Sequence, residues 1–191
     1  DTSNAVQIIN PAQHQDVVGT VYEATQEQAE IALTQAVTAQ AFWANLPKNE
    51  RAACLNKAAD LMEQRLLTLM VILSREAGKT YSNAIAEVRE AVDFLRYYAG
   101  QMLDLAENTQ IQPLGTVLCI SPWNFPLAIF TGQISAALVA GNTVIAKPAE
   151  QTPLIAAQAV QILWEAGIPQ DVLQLLPGQG ESIGAQLSAD S

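Results

Sequence analysis

Hydrophobic and polar positions follow one pattern at the start of the chain and another from Thr25 onward. Short apolar runs around Ile8 and Val18, on either side of Asn10 and Pro11, predict two short strands joined by a turn. Thr25 and the glutamine three residues later resemble a capping box, and the apolar positions then recur at helical spacing. The residues expected on the buried face of this first helix are Ala29, Leu33, Ala36 and Val37.

Three more helices are predicted in the first part of the chain. Pro47 can begin the second helix, and a third passes through residues 66–73 and ends at Gly78. A long fourth helix is predicted over about residues 82–107. The buried sides of the second and fourth helices are expected to carry Leu55, Ala58, Ala59, Met62, Ala84, Val88, Ala91, Leu95, Tyr98 and Met102. Glu87, like the other acidic residues of the fourth helix, is expected to face solvent.

The pattern changes after Pro113, where short apolar runs alternate with helices. Strands are predicted at residues 116–120, 143–146 and 172–176, and helices at residues 126–140 and 153–166, each ended by a glycine. Runs rich in β-formers and linked by helices of this length indicate right-handed crossovers and a parallel sheet covered on both faces. We therefore predict an α/β fold, in which a helical N-terminal layer at residues 1–112 precedes an incomplete Rossmann-like half-sheet at residues 113–191.

The charge balance disfavours several classes of function. The 191 residues include 9 Lys and Arg against 19 Asp and Glu, which gives a formal net charge of −10. Such a field repels phosphate backbones and anionic membranes, so nucleic-acid binding by this segment is not expected. Half of the residues are hydrophobic, yet the longest apolar runs fall short of the roughly 18 residues that span a bilayer. We therefore expect a globular chain without membrane insertion.

Cysteine and histidine are too few for a disulfide framework or a metal site. The two cysteines, Cys54 and Cys119, are far apart with no CxxC pattern, and His14 is the one histidine in the sequence. Both cysteines fall on predicted apolar segments, where burial raises the pKa of a thiol and disfavours a nucleophile. We expect no metal, and we expect a reducing cytoplasm as the compartment.

A first candidate site follows the first strand of the half-sheet. There Pro122 and Pro126 enclose Trp123, Asn124 and Phe125 between a buried strand and a helix. Ligands of open α/β sheets bind at the carboxyl ends of the strands, so Asn124 is expected to project into a cleft. An amide suits an oxyanion because it donates a hydrogen bond without titrating. The alternative is a loop asparagine that satisfies its own turn.

Two further candidates come at the ends of the next two strands. Lys147 and Glu150, held by Pro148 between them, could grip the two hydroxyls of a ribose, and the alternative is a solvated ion pair. The turn after the third strand contains Gly180 and Gly184, and such a turn lets backbone approach a phosphate. Its GxGxxxG spacing differs from the usual GxGxxG, so the glycines by themselves are weak evidence.

Taken in order, these segments resemble the NAD(P)-dependent aldehyde dehydrogenase family. The motifs that carry the resemblance are PWNFP, AGNTVIAKPAEQTP, EAGIP and PGQGESIG. The earlier segments INPA, VGTV and REAGKT also fall where that family has them, so the resemblance covers essentially the whole chain. REAGKT, SNAIAEVREAVDF and FTGQI are closer still to the glutamate γ-semialdehyde dehydrogenase domains of bifunctional bacterial proline-catabolic enzymes.

The resemblance implies oxidation of L-glutamate γ-semialdehyde to glutamate with NAD. It identifies Asn124 as the oxyanion-hole amide and Phe125 as an aromatic wall of the aldehyde pocket. It implies that Lys147 and Glu150 contact the adenosine ribose. The full set of residues that it implies at the cofactor is Ile120, Ser121, Pro122, Trp123, Lys147, Pro148, Glu150, Gly180 and Gly184. It further implies FAD only in a proline dehydrogenase domain outside this chain, and a homo-oligomeric parent.

One departure from the family pattern concerns the catalytic groups. The family uses a cysteine that attacks the aldehyde and a glutamate that activates water, and both would lie beyond Ser191. We therefore interpret the chain as the N-terminal half of the dehydrogenase domain and expect it to be inactive by itself. The alternative is a non-catalytic, dehydrogenase-like domain for binding or assembly. Intact Asn124, Lys147 and Glu150 favour the enzyme, because a pure scaffold would not need them.

Overall fold

The structure is a computed structural model that describes residues 4–106 and 112–189. The strands in this part of the chain are β1 (Ala5–Ile9), β2 (Val17–Tyr22), β3 (Thr116–Ile120), β4 (Thr143–Lys147) and β5 (Leu173–Leu175). The α-helices are α1 (Gln26–Asn45), α2 (Lys48–Gln64), α3 (Leu66–Glu76), α4 (Tyr81–Asp104), α5 (Ala128–Val139), α6 (Pro153–Ala166) and α7 (Ala185–Ala189), and a one-turn π-helix at Gly180–Gly184 precedes α7. Among the described helices, none is long and apolar enough to cross a membrane.

The strands form two separate sheets. β1 and β2 make an antiparallel pair, as the two N-terminal apolar runs predict. β3, β4 and β5 form a parallel sheet in that order, with Ile120 opposite Lys147 and Ala146 opposite Leu175. β4 is buried along its whole length, which suits the middle strand of a sheet covered on both faces. The predicted α/β fold with half of a Rossmann-like parallel sheet is confirmed.

One hydrophobic core joins the N-terminal helices to the parallel sheet. Leu95 of α4, Phe130 of α5 and Val144 of β4 belong to the same cluster of buried side chains. The indole N–H of Trp43 in α1 donates to the carbonyl of Leu138 in α5 at 2.8 Å, so the largest buried side chain leaves no polar atom unsatisfied. This core extends across the predicted boundary between residues 112 and 113, and the division of the chain there stays a prediction.

The buried face of α1 differs from the predicted one. The capping box is present as expected, because Thr25 and Gln28 each accept the other's backbone N–H. Val37, however, is 59% exposed. The residues that α1 buries are Ala29, Ala32, Ala36, Ala39 and Trp43. Small alanine side chains let this helix lie close to the sheet, where they pack with Ile145 of β4 and Leu176.

Helix ends agree with the predictions to within a few residues. α4 ends at Asp104, and Glu107, its predicted end, lies outside the described residues. α5 begins at Ala128, two residues later than predicted, because the residues before it form a turn. Gly141 and Gly167 terminate α5 and α6 with φ of +92° and +117°, a left-handed conformation that favours glycine.

The prediction that Glu87 faces solvent is wrong. Its side chain is 1% exposed, and it lies on the same face of α4 as Ala84 and Ala91. Glu87 comes three residues after Ala84 and four before Ala91, which places it on the apolar stripe of the helix. A carboxylate is tolerated in such a position when it has polar partners. Those partners are the first turn of α5 and the ammonium of Lys79.

Candidate active site

Three loops leave the parallel sheet at the same edge. Because β3, β4 and β5 run parallel and in register, their carboxyl ends at Ile120, Lys147 and Leu175 lie side by side. This is the edge at which open α/β sheets bind their ligands. The structure therefore brings the three predicted site segments to one side of the molecule.

The first of these loops, residues 121–127, is called the Asn124 loop. It begins at Ser121, whose N–H donates to the carbonyl of Lys147 at 3.2 Å and whose hydroxyl donates to Oε1 of Gln133 at 3.2 Å. Asn124 is exposed, and its amide forms no hydrogen bond within the part of the chain that the structure describes. The amide is thus available to a ligand. The large apolar side chains near it are also accessible: Ile120 by 47%, Trp123 by 57% and Phe125 by 41%.

Glu87 of α4 holds the other end of the Asn124 loop. Its Oε1 accepts from the backbone N–H groups of Leu127 at 2.8 Å and Ala128 at 3.3 Å. These N–H groups belong to the start of α5, where a carboxylate also faces the positive end of the helix dipole. Oε2 of Glu87 lies 2.5 Å from Nζ of Lys79, and this ammonium is 4.3 Å from the centre of the Phe125 ring. One carboxylate therefore connects α4 to both the helix and the aromatic side chain that follow Asn124.

Lys147, Glu150 and Gly180 surround a cavity of about 360 Å³ at the ends of β4 and β5. Nζ of Lys147 donates to the carbonyl of Pro148 at 3.1 Å, and Oε2 of Glu150 accepts from the N–H of Gly180 at 3.2 Å. Burial lowers the pKa of Lys147, although the negative charge of Glu150 acts in the opposite direction. The lysine is 3% exposed, and the ion pairs of the described residues do not include one between Lys147 and Glu150, so the two do not form a solvated pair.

The groups around this cavity fit the sugar of a nucleotide. The Glu150 carboxylate can accept from hydroxyl groups, and the Lys147 ammonium can donate to them. A Cβ added at Gly180 would meet nothing within 4 Å, so the backbone there is open to a ligand. At Gly184 a Cβ would lie 3.3 Å from Cε of Lys147, so this glycine leaves room for the lysine side chain.

A second buried carboxylate holds the helix that follows Glu150. Glu76, at the end of α3, is 4% exposed and accepts from the N–H groups of Leu154 at 2.6 Å and Ile155 at 2.8 Å in α6. Burial raises the pKa of Glu76 to about 7, and the two N–H donors oppose part of that rise. Each of the two site loops before α5 and α6 is thus followed by a helix whose start is bound by a glutamate of the N-terminal layer.

The raised pKa of Glu76 predicts a pH-dependent free energy of unfolding. Because the folded state holds this proton up to about pH 7 and the unfolded state only to about 4.5, the contribution of Glu76 to stability should fall as pH rises through that window. The loss should amount to about 3 kcal/mol above pH 7. Denaturant unfolding of the wild type and of Glu76→Gln at pH 5 and pH 8 measures it. A wild-type-to-variant difference that is the same at both pH values would contradict the prediction.

Neither cysteine is suited to attack an aldehyde. Cys119 is buried in β3, and its burial raises the pKa of the thiol to about 11. Cys54 is half-buried on α2, and burial raises its pKa as well. Both therefore have the structural character that the sequence predicts. Among the described residues there is also no group of three or more side chains that could hold a metal ion.

Comparison with known proteins agrees with this geometry. The sequence model of the aldehyde dehydrogenase family matches residues 1–191. Bifunctional protein PutA of Escherichia coli (strain K12) is 64% identical over 183 residues, which cover 96% of this chain and 14% of that protein. The 1-pyrroline-5-carboxylate dehydrogenase of Bacillus licheniformis is 39% identical over 199 residues, which cover 98% of this chain and 39% of that protein.

A solved structure shows the same likeness in three dimensions. The 1-pyrroline-5-carboxylate dehydrogenase from Thermus with bound NAD is 40% identical, and its TM-score with this chain is 0.93. The match covers 98% of this chain and 39% of the Thermus chain. The chain thus spans well under half of the length of each of these relatives.

Proposed function

This chain belongs to the aldehyde dehydrogenase family, and from that premise we propose that it forms the cofactor-side part of a domain that oxidises L-glutamate γ-semialdehyde to glutamate with NAD. The semialdehyde is the open form of pyrroline-5-carboxylate, which appears in the name of one group of relatives. The other group carries the name bifunctional protein PutA. NAD is bound in the related Thermus structure.

The observation that carries the proposal is the set of groups at one edge of the parallel sheet. The Asn124 amide, free of internal hydrogen bonds, lies on the loop after β3 beside the exposed ring of Phe125. The cavity formed by Lys147, Glu150 and Gly180 lies at the ends of the neighbouring strands. The amide suits the oxygen of a reacting carbonyl, and the polar cavity suits the sugar of a nucleotide. Both lie at the edge of the sheet where such ligands bind.

We propose that NAD is held by the residues around that cavity and along the Asn124 loop. The carboxylate of Glu150 and the ammonium of Lys147 contact the adenosine ribose, and the backbone of the turn at Gly180 and Gly184 passes beside it. The strand ends next to it are formed by Ile120, Ser121, Pro122, Trp123 and Pro148. When bound, NAD supplies the acceptor for the hydride that leaves the substrate.

In this proposal Asn124 and Phe125 contact the aldehyde substrate. The Asn124 side chain donates a hydrogen bond to the aldehyde oxygen as negative charge develops on it. Phe125 forms an apolar wall that limits the access of water to the reacting carbon. The nucleophilic cysteine comes from outside this chain in this proposal, since Cys119 is buried in β3 and burial also raises the pKa of Cys54. The family resemblance implies that the water-activating glutamate lies outside the chain as well.

The size and name of the relatives support a larger parent protein. The matched segment covers 14% of a relative that is named bifunctional, which leaves room for a second activity. We propose that this second activity is a FAD-dependent proline dehydrogenase domain outside the chain, and that the parent is a homo-oligomer.

The activity test uses the complete protein that contains this chain. Incubation with NAD and L-glutamate γ-semialdehyde should form NADH, with kcat/KM well above that for an aldehyde without the amino and carboxylate groups, such as propionaldehyde. Absorbance of the reduced cofactor measures both. Absence of NADH with either aldehyde would contradict the proposed reaction, and a preference for propionaldehyde would contradict the proposed substrate.

Substitution of Glu150 by alanine should weaken NAD binding by about tenfold or more. A charge-assisted hydrogen bond contributes about 1.5 to 3 kcal/mol. The substitution also removes the carboxylate that accepts the N–H of Gly180, so this part of the cofactor site loses a contact as well. Calorimetry with the complete protein gives the NAD dissociation constant. Glu30→Ala, which removes an exposed glutamate of α1, is the control and should bind NAD as the wild type does. An unchanged dissociation constant for Glu150→Ala would remove Glu150 from the cofactor site.

A further inference from the structure

We infer that Glu87 and Lys79 act as a positioning pair that fixes the Asn124 loop for the aldehyde reaction. The inference rests on the proposed function, because it assigns the pair a role through Asn124. Neither residue has to touch substrate or cofactor for this role. Their contacts with the residues on the C-terminal side of Asn124 are sufficient.

The Asn124 loop is attached to its surroundings on both sides of Asn124. Ser121 attaches its first residue to β4 and α5, and Glu87 binds the N–H groups of Leu127 and Ala128. Asn124 itself makes no hydrogen bond with the described residues. The position of its amide therefore depends on these two attachments, on the contact between Lys79 and Phe125, and on the hydrogen bond that the Phe125 carbonyl accepts from the N–H of Ile129 at 3.3 Å.

The charge of Glu87 is essential to this arrangement. One oxygen accepts two N–H groups while the other meets the Lys79 ammonium, so each polar partner of the carboxylate is a donor or a cation. A glutamine would turn its NH₂ group toward either the helix N–H groups or the ammonium, and no orientation satisfies both. Both partners are also shielded from water, with 1% of the Glu87 side chain and 12% of the Lys79 side chain exposed.

Loss of this contact should affect the chemical step more than cofactor binding. A reacting group that is displaced by about 1 Å can cost roughly a hundredfold in rate. The residues of the Asn124 loop that are proposed to contact NAD precede Asn124, and Ser121 attaches them to Lys147 and Gln133 without Glu87. The Lys147, Glu150 and Gly180 cavity has its own anchor, since Glu76 binds the start of α6. The expected signature is therefore a fall in kcat with an unchanged NAD dissociation constant.

The experiment compares Glu87→Gln, Asn124→Ala and the double variant of the complete protein. Glu87→Gln alone should lower kcat by about tenfold or more and leave the NAD dissociation constant within about twofold. In the Asn124→Ala background the same substitution should lower kcat by less than about twofold, because the group that it positions is already gone. Glu30→Gln removes a glutamate from the exposed face of α1 and should leave both quantities unchanged.

Two results would overturn the inference. One is a kcat for Glu87→Gln within about twofold of the wild type, and the other is an equal loss with and without Asn124, which signifies an independent effect. If Glu87→Gln does not fold, Lys79→Gln replaces it in the same comparison with the same criteria, since the Lys79 side chain is less deeply buried than that of Glu87. A wild-type protein that forms no NADH from the semialdehyde contradicts the proposed function instead.

Discussion

Replacement of Asn124 by alanine is expected to lower kcat of the complete protein by roughly 100- to 1000-fold while NAD affinity stays almost unchanged. Charge develops on the aldehyde oxygen only during nucleophilic attack, so a fixed amide donor stabilises the transition state more than the ground state. Removal of one such donor typically costs about 2.7 to 4 kcal/mol. The measurements are kcat with L-glutamate γ-semialdehyde and the NAD dissociation constant by calorimetry.

Asn56→Ala is the matched control for this substitution. Asn56 lies on the exposed face of α2, so its loss should alter neither kcat nor NAD affinity. A decrease of kcat by less than about threefold in a normally folded Asn124→Ala variant would contradict the oxyanion role. A change confined to cofactor affinity would do the same, and Asn124 would then be a turn residue.

The 191-residue chain by itself is expected to form no NADH from L-glutamate γ-semialdehyde. Hydride transfer from an aldehyde in this family requires prior attack by a thiolate, and neither cysteine of the chain can supply one. With a pKa of about 11, only roughly one Cys119 thiol in ten thousand is ionised at pH 7, and it lies inside β3. Absorbance of the reduced cofactor over a long incubation with purified chain measures the outcome.

Two controls make this negative result informative. Circular dichroism should show the helical content of a folded chain, and the complete protein should form NADH under the same conditions. NADH formation by the isolated chain that is abolished by Cys119→Ser or by Cys54→Ser would show that one of these thiols reacts. It would also contradict the view that the nucleophile comes from outside the chain.

The sheet and its loops could be predicted because their signals are local. Uninterrupted apolar runs with helices between them require a parallel sheet, and a parallel sheet places all carboxyl ends at one edge. The positions of Asn124 and Glu150 at that edge follow from these rules alone. Gly141 likewise marks a helix end because a left-handed residue is needed there. All of these signals come from residues that are close together in sequence.

The buried glutamates could not be predicted in the same way. Glu87 lies on the apolar stripe of α4 and Glu76 on that of α3, so both side chains face inward. The ordinary preference of a carboxylate for water argued against that position. The deciding partners, Leu127 for Glu87 and Leu154 for Glu76, are 40 and 78 residues away. The one signal in the sequence is an acidic residue that falls at the helical spacing of the buried apolar positions.

These two glutamates also limit how segments can be exchanged between related proteins. Each one belongs to the N-terminal layer, but its carboxylate oxygens accept hydrogen bonds from backbone N–H groups at the starts of helices that come after residue 112. A chimera joined near that residue would combine a carboxylate from one parent with a helix start from another. Any small difference in the docking of α5 or α6 would leave a buried carboxyl group without its N–H donors. For these two contacts, the useful crossover points for recombination therefore lie before α3 or after α6, so that each glutamate and the helix start that it binds come from the same parent.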